Sequence, residues 1–324
     1  MKAIQVRSFG GPEVLTMEEV EDPVPGNDEV VFDVRAAGVI PADTYVRAGA
    51  YATLPTLPYI PGGDAAGIVS AVGPGVEDFA VGDRVFTGTG LKFSMSGCYA
   101  EKVKRHVSRV RHLPAGVSFA AATAFGVSYP TAHYALFGRG AARAGETVFI
   151  HGASGSVGTS AIQLARRAGL KVIGSSSTAE GLELILREGA DLAVNHGKPG
   201  YIEEVRRFAG GDGPNLILEM LANVNLAADM DLAAKFGRIV VIGNRGEITI
   251  NPRTAMTKEL DIRGLLLANA SDKLRGEIMD DVLAAVAEGL VRPVVGRKFP
   301  LAEARAAHMA IMEPGAFGKI VLIP

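Results

Sequence analysis

The 324-residue chain has a single cysteine, Cys98. One thiol excludes an intrachain disulfide and fits a reducing, cytoplasmic setting. A lone Cys of this kind reads first as a small buried hydrophobe. The six histidines, at positions 106, 112, 133, 151, 196 and 308, show no HxxxH-type ligand spacing. Neither they nor Cys98 compose the ligand set of a zinc site, so no metal is expected. Without a Lewis acid, a substrate that accepts hydride readily, such as a conjugated carbonyl or a quinone, fits better than an alcohol. An excess of one charge is also missing. Thirty-three Lys and Arg against 35 Asp and Glu leave a net charge of −2, with no dense basic block. That argues against a nucleic-acid partner. No apolar run reaches the ~20 residues of a membrane helix. The opening MKAIQVRSFGG carries no signal-peptide apolar region and reads as a first strand. Internal repeats and low-complexity tracts are absent as well.

What the chain has in excess is glycine, 40 residues, and the most informative glycines lie between Thr147 and Thr178. Thr147–His151 is a short β-branched and aromatic run, the pattern of a buried parallel strand. Gly152, Gly155 and Gly158 follow at three-residue spacing. Val157, Ala161, Leu164, Ala165 and Ala168 then recur at helical spacing, and Gly169 closes the helix before a strand opens at Lys171. Such a turn lets backbone approach a pyrophosphate, and the helix N-terminus offers it unpaired N–H groups and a positive dipole end. In the common fingerprint the second strand ends in an acid that binds the ribose 2′-OH of NAD. Here the position reads Ser175-Ser176-Ser177-Thr178. No carboxylate repels a 2′-phosphate and several hydroxyls are available to it. Read as Ala153-x-Gly155-x-x-Gly158, the turn also lacks the first glycine of GxGxxG. Both features favour NADP(H).

Residues 1–120 are strand-rich and broken by Gly and Pro, with strands expected at Ala3–Phe9, Glu29–Ala36, Ala66–Val72, Arg84–Thr87 and Tyr99–Val103. They suggest a partly open antiparallel barrel. Beyond Thr123 the pattern becomes helical and alanine-rich. Strands are then expected at Thr147–His151, Lys171–Gly174, Leu192–Asn195, Leu216–Glu219, Arg238–Ile242 and Asp261–Leu267. Helices between them begin near Val157, Ala179, Tyr201 and Val224. This is the signature of a doubly wound parallel sheet. A helix at Ser271–Glu288, a strand near Arg297–Phe299, a helix at Leu301–Met312 and a strand at Lys319–Ile323 complete the chain. The expected division is 1–123 with 268–324, and 124–267, with substrate in the cleft between the two domains.

Several other residues admit two readings. His196 follows the third parallel strand and reads as a solvated loop residue. Arg245, in Ile242-Gly243-Asn244-Arg245-Gly246, follows the fifth, where open α/β sheets line their ligand crevice; a coenzyme role and a surface role stand even. Tyr45 and Tyr51 flank Arg47 and Gly49, which suits interface packing and leaves room for contact with a flat substrate. Leu265-Leu266-Leu267 reads as core.

The motifs FGGPEVL (Phe9–Leu15), DTYVRAGAY (Asp43–Tyr51), LPYIPGGDAAGIV (Leu57–Val69), VGDRVF (Val81–Phe86), HGASGSVG (His151–Gly158), EMLANVNL (Glu219–Leu226) and IGNRGEITINPR (Ile242–Arg253) extend over nearly the whole chain. With them the sequence resembles the zinc-independent quinone oxidoreductases of the medium-chain dehydrogenase/reductase superfamily, in their zeta-crystallin-like branch. The resemblance implies a GroES-like catalytic domain, a Rossmann domain and NADPH as electron donor to a quinone. It also implies a homodimer through the Rossmann sheet edge, or a tetramer. Zinc members of the superfamily have His-Glu where this chain has Gly63-Asp64. By the same resemblance Ser154, Gly155, Ser156 and Val157 hold the pyrophosphate. Ser177 and His196 lie by the 2′-phosphate. Asn225, Ile242, Gly243, Asn244 and Arg245 line the coenzyme groove. Leu265, Leu266 and Leu267 pass the nicotinamide through backbone. Tyr45 and Thr131 face its reactive end, and Tyr51 covers the quinone slot. One departure stands out: the family's Gly-Val-Asn-Pro reads Gly38-Val39-Ile40-Pro41 here, which removes a hydrogen-bonding group beside the substrate and adds apolar bulk. The same scaffold also suits an NADPH-dependent enone or enal reductase. An NADPH-binding RNA-associated or structural protein with little turnover is a third reading.

Overall fold

A computed structural model describes residues 1–88 and 97–324. The chain divides into two compact units, 1–127 with 292–324, and 128–291.

The first unit begins with a hairpin-like pair, β1 (Lys2–Gln5) and β2 (Thr16–Glu19). β3 (Glu29–Val39) follows, then helix α1 (Pro41–Arg47), β4 (Asp64–Val72), β5 (Arg84–Thr87), β6 (Lys102–His106), β7 (Val110–His112) and α2 (Phe119–Ala122). β3 is eleven residues long and pairs antiparallel with β4 and β6. Val30, Phe32 and Val34 on one of its faces are buried in the core of the unit, as the two-residue period of a half-covered strand requires.

The second unit alternates strand and helix. It runs α3 (Ser128–His133), β8 (Thr147–Ile150), α4 (Ser156–Arg167), β9 (Lys171–Ser176), α5 (Ala179–Arg187) and β10 (Leu192–Asn195). It continues with α6 (Tyr201–Phe208), β11 (Leu216–Glu219), α7 (Ala222–Leu232), β12 (Arg238–Val241), α8 (Pro252–Lys258), β13 (Asp261–Gly264) and α9 (Asp272–Ala287). Its six strands form one parallel sheet in the order β10-β9-β8-β11-β12-β13. β8 and β11 are buried along their whole length, which is why both are apolar but for one terminal residue, Thr147 and Glu219.

The chain then returns to the first unit with β14 (Val295–Pro300), α10 (Ala304–Ala310) and β15 (Lys319–Ile323). β15 pairs antiparallel with β3 and parallel with β14. The sheet of this unit therefore contains one parallel pair and is not wholly antiparallel. Its order is β14-β15-β3-β4-β5-β7, with β6 also on β3.

Several sequence boundaries shift. The first strand ends at Gln5, and Val6 makes only an isolated bridge to Tyr59. The sixth parallel strand stops at Gly264, and Leu267 opens a 3-10 turn. The expected helix from Leu301 to Met312 is a 3-10 turn followed by the shorter α10. Residues 268–291, expected with the first domain, group with the second. The reason is visible in α9, where Asp281 accepts from His133 Nε2 of α3 at 3.1 Å and from Arg167 Nη1 of α4 at 2.8 Å.

The first unit is closed by a buried ion pair. Lys319 Nζ on β15 lies 2.5 Å from Asp64 Oδ2 on β4, and neither side chain is exposed. Gly38 makes the room: a Cβ there would sit 2.4 Å from Lys319 Cε. Removing one partner of such a pair leaves the other uncompensated. Lys319→Met should lower the stability of this unit by about 3–5 kcal/mol, read from urea denaturation. The double variant with Asp64→Leu should recover much of the loss.

Candidate functional site

In the second unit the glycine turn is built by close packing. Ala153 is fully buried, and its N–H donates to Ser175 O on the neighbouring strand at 2.9 Å. A Cβ on Gly158 would lie 2.5 Å from Ala153 Cα. Only glycine lets α4 start this close to the end of β8. Gly152 makes the preceding bend in the left-handed region, at φ 55°, which glycine adopts without penalty. Gly155 is the N-cap of α4 and supplies no side-chain acceptor. The first-turn N–H groups at Ser156, Val157 and Gly158 therefore have no side-chain cap, the condition under which a helix N-terminus receives an anion. Ser154, Gly155, Ser156 and Val157 are all partly exposed. Ser156 Oγ donates to Ser128 Oγ at 2.6 Å, which ties the first residue of α4 to the first of α3.

The hydroxyl cluster at the end of β9 is narrower than the sequence implies. The strand runs on to Ser176, and Ser175 and Ser176 are buried. Ser176 Oγ faces Ser154 Oγ at 3.3 Å and Ser175 Oγ faces His196 Nδ1 at 3.3 Å. Thr178 caps α5 by accepting from Gly181 N. Ser177 is the half-buried hydroxyl left beside the turn. Its carbonyl accepts from Asn195 Nδ2 at 3.2 Å. His196 follows β10 and donates its backbone N–H to Ser176 O. Partial burial, then the nearby His151, holds its pKa below the usual value.

The strand ends beyond β8 carry the remaining candidates of this unit. Asn225 on α7 donates through Nδ2 to Glu219 Oε1 at 3.2 Å. Ile242 and Gly243 donate backbone N–H groups to Glu219 O. Asn244 and Arg245 are exposed; Asn244 Nδ2 donates to Gly246 O, and Arg245 N donates to Asn223 Oδ1 at 2.9 Å. Leu265 N donates to Val241 O, Leu266 is 37% exposed and Leu267 is buried. The leucine run is therefore only partly core. Thr131 is buried on α3. Thus the turn residues with Ser177 and His196 form one group at the ends of β8, β9 and β10. Asn225 with 242–245 forms a second at the ends of β11 and β12.

In the first unit Ile40, Tyr45 and Tyr51 are brought together around α1. Ile40 is its N-cap and is buried; Tyr45 and Tyr51 are half-buried. Burial, then Asp43 and Tyr45, raises the Tyr51 phenol. Beneath them runs a hydrogen-bonded relay that sequence reading missed. Arg47 Nη1 lies 3.3 Å from His308 Nδ1, His308 Nε2 3.1 Å from Tyr99 Oη, and Tyr99 Oη donates to Asp43 Oδ2 at 2.9 Å. The arginine can only donate, so the neutral imidazole carries its proton on Nε2 and passes it to the tyrosine oxygen. Burial, then the nearby Arg47, lowers His308 to about 3. Burial pushes Asp43 up to about 7, against the opposing bonds from Ile40 N and Tyr99.

Among the described residues, two zinc-type donors of the first unit are engaged with other groups. Cys98 is buried, accepts from Arg105 Nη2 at 3.1 Å and has its thiol pushed up to about 11 by burial. Asp64 already holds the Lys319 ammonium. Among the described residues one trio brings donor atoms together, His151, Glu219 and Asp229. There His151 Nε2 and Asp229 Oδ1 are 2.7 Å apart. That is hydrogen-bond spacing, whereas His151 Nε2 and Glu219 Oε2 stand 3.3 Å apart, the separation of two ligands on a tetrahedral zinc, about 3.3 Å.

A glycine turn opening a helix on a parallel sheet, with apolar and phenolic side chains gathered on a separate strand-rich unit, defines a two-domain dehydrogenase or reductase. Comparison with known proteins agrees. Residues 26–125 match the alcohol dehydrogenase GroES-like domain and residues 156–286 the zinc-binding dehydrogenase family. The chain is 41% identical to the quinone oxidoreductase of Homo sapiens and 43% to that of Sus scrofa, over all of this chain and 98% of each relative. Among solved structures, the Escherichia coli quinone oxidoreductase complexed with NADPH superposes with a TM-score of 0.89 at 28% identity, over all of both chains. An NAD-dependent alcohol dehydrogenase superposes with 0.94 at 31%, also over all of both chains. The chain belongs to the medium-chain dehydrogenase/reductase superfamily and, within it, to the quinone oxidoreductase family.

The tight packing at the turn yields a test. Gly158→Ala forces Ala153 and the start of α4 apart, an overpacking that costs about 1–3 kcal/mol. Thermal melting should show that loss, and coenzyme titration should show weakened binding.

Proposed function

We propose that the protein is an NADPH-dependent quinone oxidoreductase that works without a metal. The observation that carries this reading is the pairing of an uncapped α4 N-terminus with a β9 end that bears Ser177 and no carboxylate. The quinone oxidoreductase relatives, and a superposable member solved with NADPH, support it. The alcohol dehydrogenase neighbour shows that the fold alone does not select the coenzyme.

When bound, NADPH supplies the reducing equivalents. The backbone N–H groups of Ser154, Ser156 and Val157 hold its pyrophosphate, with Gly155, whose own N–H donates to Gly152 O, leaving room for it and the helix dipole behind them. Ser177 and His196 receive the 2′-phosphate. Asn225, with Ile242 to Arg245, lines the groove, and Leu265–Leu267 with Thr131 orient the nicotinamide end. Tyr45 and Tyr51 stack against a flat quinone, and Ile40 gives that slot an apolar wall. Orientation and exclusion of water, worth several kcal/mol in such reactions, are the protein's main contribution. The single buried thiol fits a cytosolic setting. No helix among the described residues is long and apolar enough to cross a membrane. A homo-oligomer is expected through the outer edge of β13, where Ile262 is exposed. Light scattering should give at least twice the monomer mass.

Two measurements test the reading. NADPH should bind at least tenfold tighter than NADH, ~1.4 kcal/mol. Ser177→Asp should abolish that preference by placing a carboxylate beside the 2′-phosphate. Equal affinities in the unsubstituted protein would overturn the coenzyme assignment. Stopped-flow oxidation of NADPH should proceed with quinones; turnover with enals alone would instead make the protein an enal reductase. Dialysis against a chelator should leave the quinone rate unchanged.

A further inference from the structure

Three ionisable groups lie directly beneath the strand ends of the coenzyme groove and have no role in the reading above. His151 follows β8 and precedes Gly152, Glu219 ends β11, and Asp229 lies on α7; all three are buried. His151 Nε2 is 2.7 Å from Asp229 Oδ1 and 3.3 Å from Glu219 Oε2. One ligand atom from each of the three lies within 4.8 Å of the others. Glu219 Oε2 and Asp229 Oδ2 have no hydrogen-bond partner among the described residues, and one proton held between the two carboxyl groups would satisfy both. Glu219 Oε1 turns the other way. It accepts from the backbone N–H of Leu221 and from Asn225 Nδ2. One carboxyl thus joins the buried cluster to the strand–helix turn that opens α7.

The charge around the cluster is sparse. His151 approaches from β8, and its own pKa is lowered by burial against the pull of Glu219. His196, beyond β10, is close enough to feel His151. Tyr201 on α6 has its phenol raised by burial, then by Asp229 and Glu219. Burial is also the main cause that pushes both Glu219 and Asp229 up to about 7. Loss of the shared proton would leave two adjoining carboxylates under a groove that takes an anionic ligand.

We propose that Glu219, Asp229 and His151 are positioning residues for the coenzyme. One proton shared by the carboxyls, with His151 donating to Asp229, sets the Leu221–Asn225 turn, and coenzyme binds the protonated cluster in preference to the deprotonated one. The proposal rests on the NADPH reading given above. It makes coenzyme affinity fall as pH rises through neutrality, because the favoured form is the one that keeps its proton.

NADPH titrations by fluorescence between pH 7 and 9 test it. Over this range the 2′-phosphate, with a pKa of about 6, is already dianionic. The dissociation constant should rise at least tenfold. Glu219→Gln keeps an oxygen for Leu221 and Asn225 and offers an N–H to Asp229, so it imitates the protonated acid. Its affinity should match the unsubstituted protein at pH 7 and stay flat to pH 9. Asp229→Asn removes the neighbouring negative charge, so Glu219 should lose its proton at lower pH and the weakening should begin at least one pH unit earlier. A flat profile in the unsubstituted protein with NADPH bound tightly, or an undiminished slope in Glu219→Gln, overturns this proposal alone. If Glu219→Gln does not fold, an unshifted profile in Asp229→Asn overturns it. Absence of NADPH binding at every pH overturns the coenzyme reading itself.

Discussion

The approach of α4 to the end of β8 is the constraint on which the candidate site depends. With Ala153 buried and Gly158 against it, the helix starts as close to the strand as backbone allows. Gly155 at the N-cap then leaves the first-turn N–H groups without a side-chain cap. A bulkier residue at position 153 or 158 would push the helix away. The close packing is the part of this geometry that sequence spacing records.

This explains why the second unit was legible and the first was less so. β10 and β11 fall on the expected residues because each is a short apolar or β-branched run closed by polar or charged residues. β2, TMEE, alternates between half-covered and exposed positions and so carries little apolar signal. β7 has three residues, two of them charged or polar at the surface. Neither was expected. The placement of α9 could not be read from its periodicity, since it is fixed by Asp281 meeting His133 and Arg167, residues more than a hundred positions away.

The buried polar groups were the least legible part of both units. His151, Glu219 and Asp229 are separated by 68 and 10 positions, so no motif window contains them. The same holds for Arg47, Tyr99 and His308. Glu219 did give a sign: a carboxylate closing an otherwise apolar strand, LILE, is costly unless something satisfies it. The hydroxyl cluster erred in the opposite direction. Four adjacent hydroxyl residues looked equally available, whereas strand burial and the helix cap engage three of them and leave Ser177.

The two units reach one solution at their strand–helix turns. The N-cap of α1 is Ile40 and that of α7 is Leu221, and neither apolar side chain can cap its own helix. In each case a carboxyl from the interior accepts the N-cap backbone N–H instead: Asp43 for Ile40, Glu219 for Leu221. Each acid is then held by residues brought in by the tertiary fold, Tyr99 with His308 for one and Asp229 with His151 for the other. An ordinary Ser or Asp cap accepts instead from an N–H in the first turn; here the acid holds the N–H of the N-cap residue itself. An interior acid fixes the turn from below. At Ile40 the turn bears the proposed wall of the quinone slot, and beside Leu221 it carries Asn225. Exchanging either acid for an apolar residue would spare the desolvation of the carboxyl, but it would also free the turn that the acid holds.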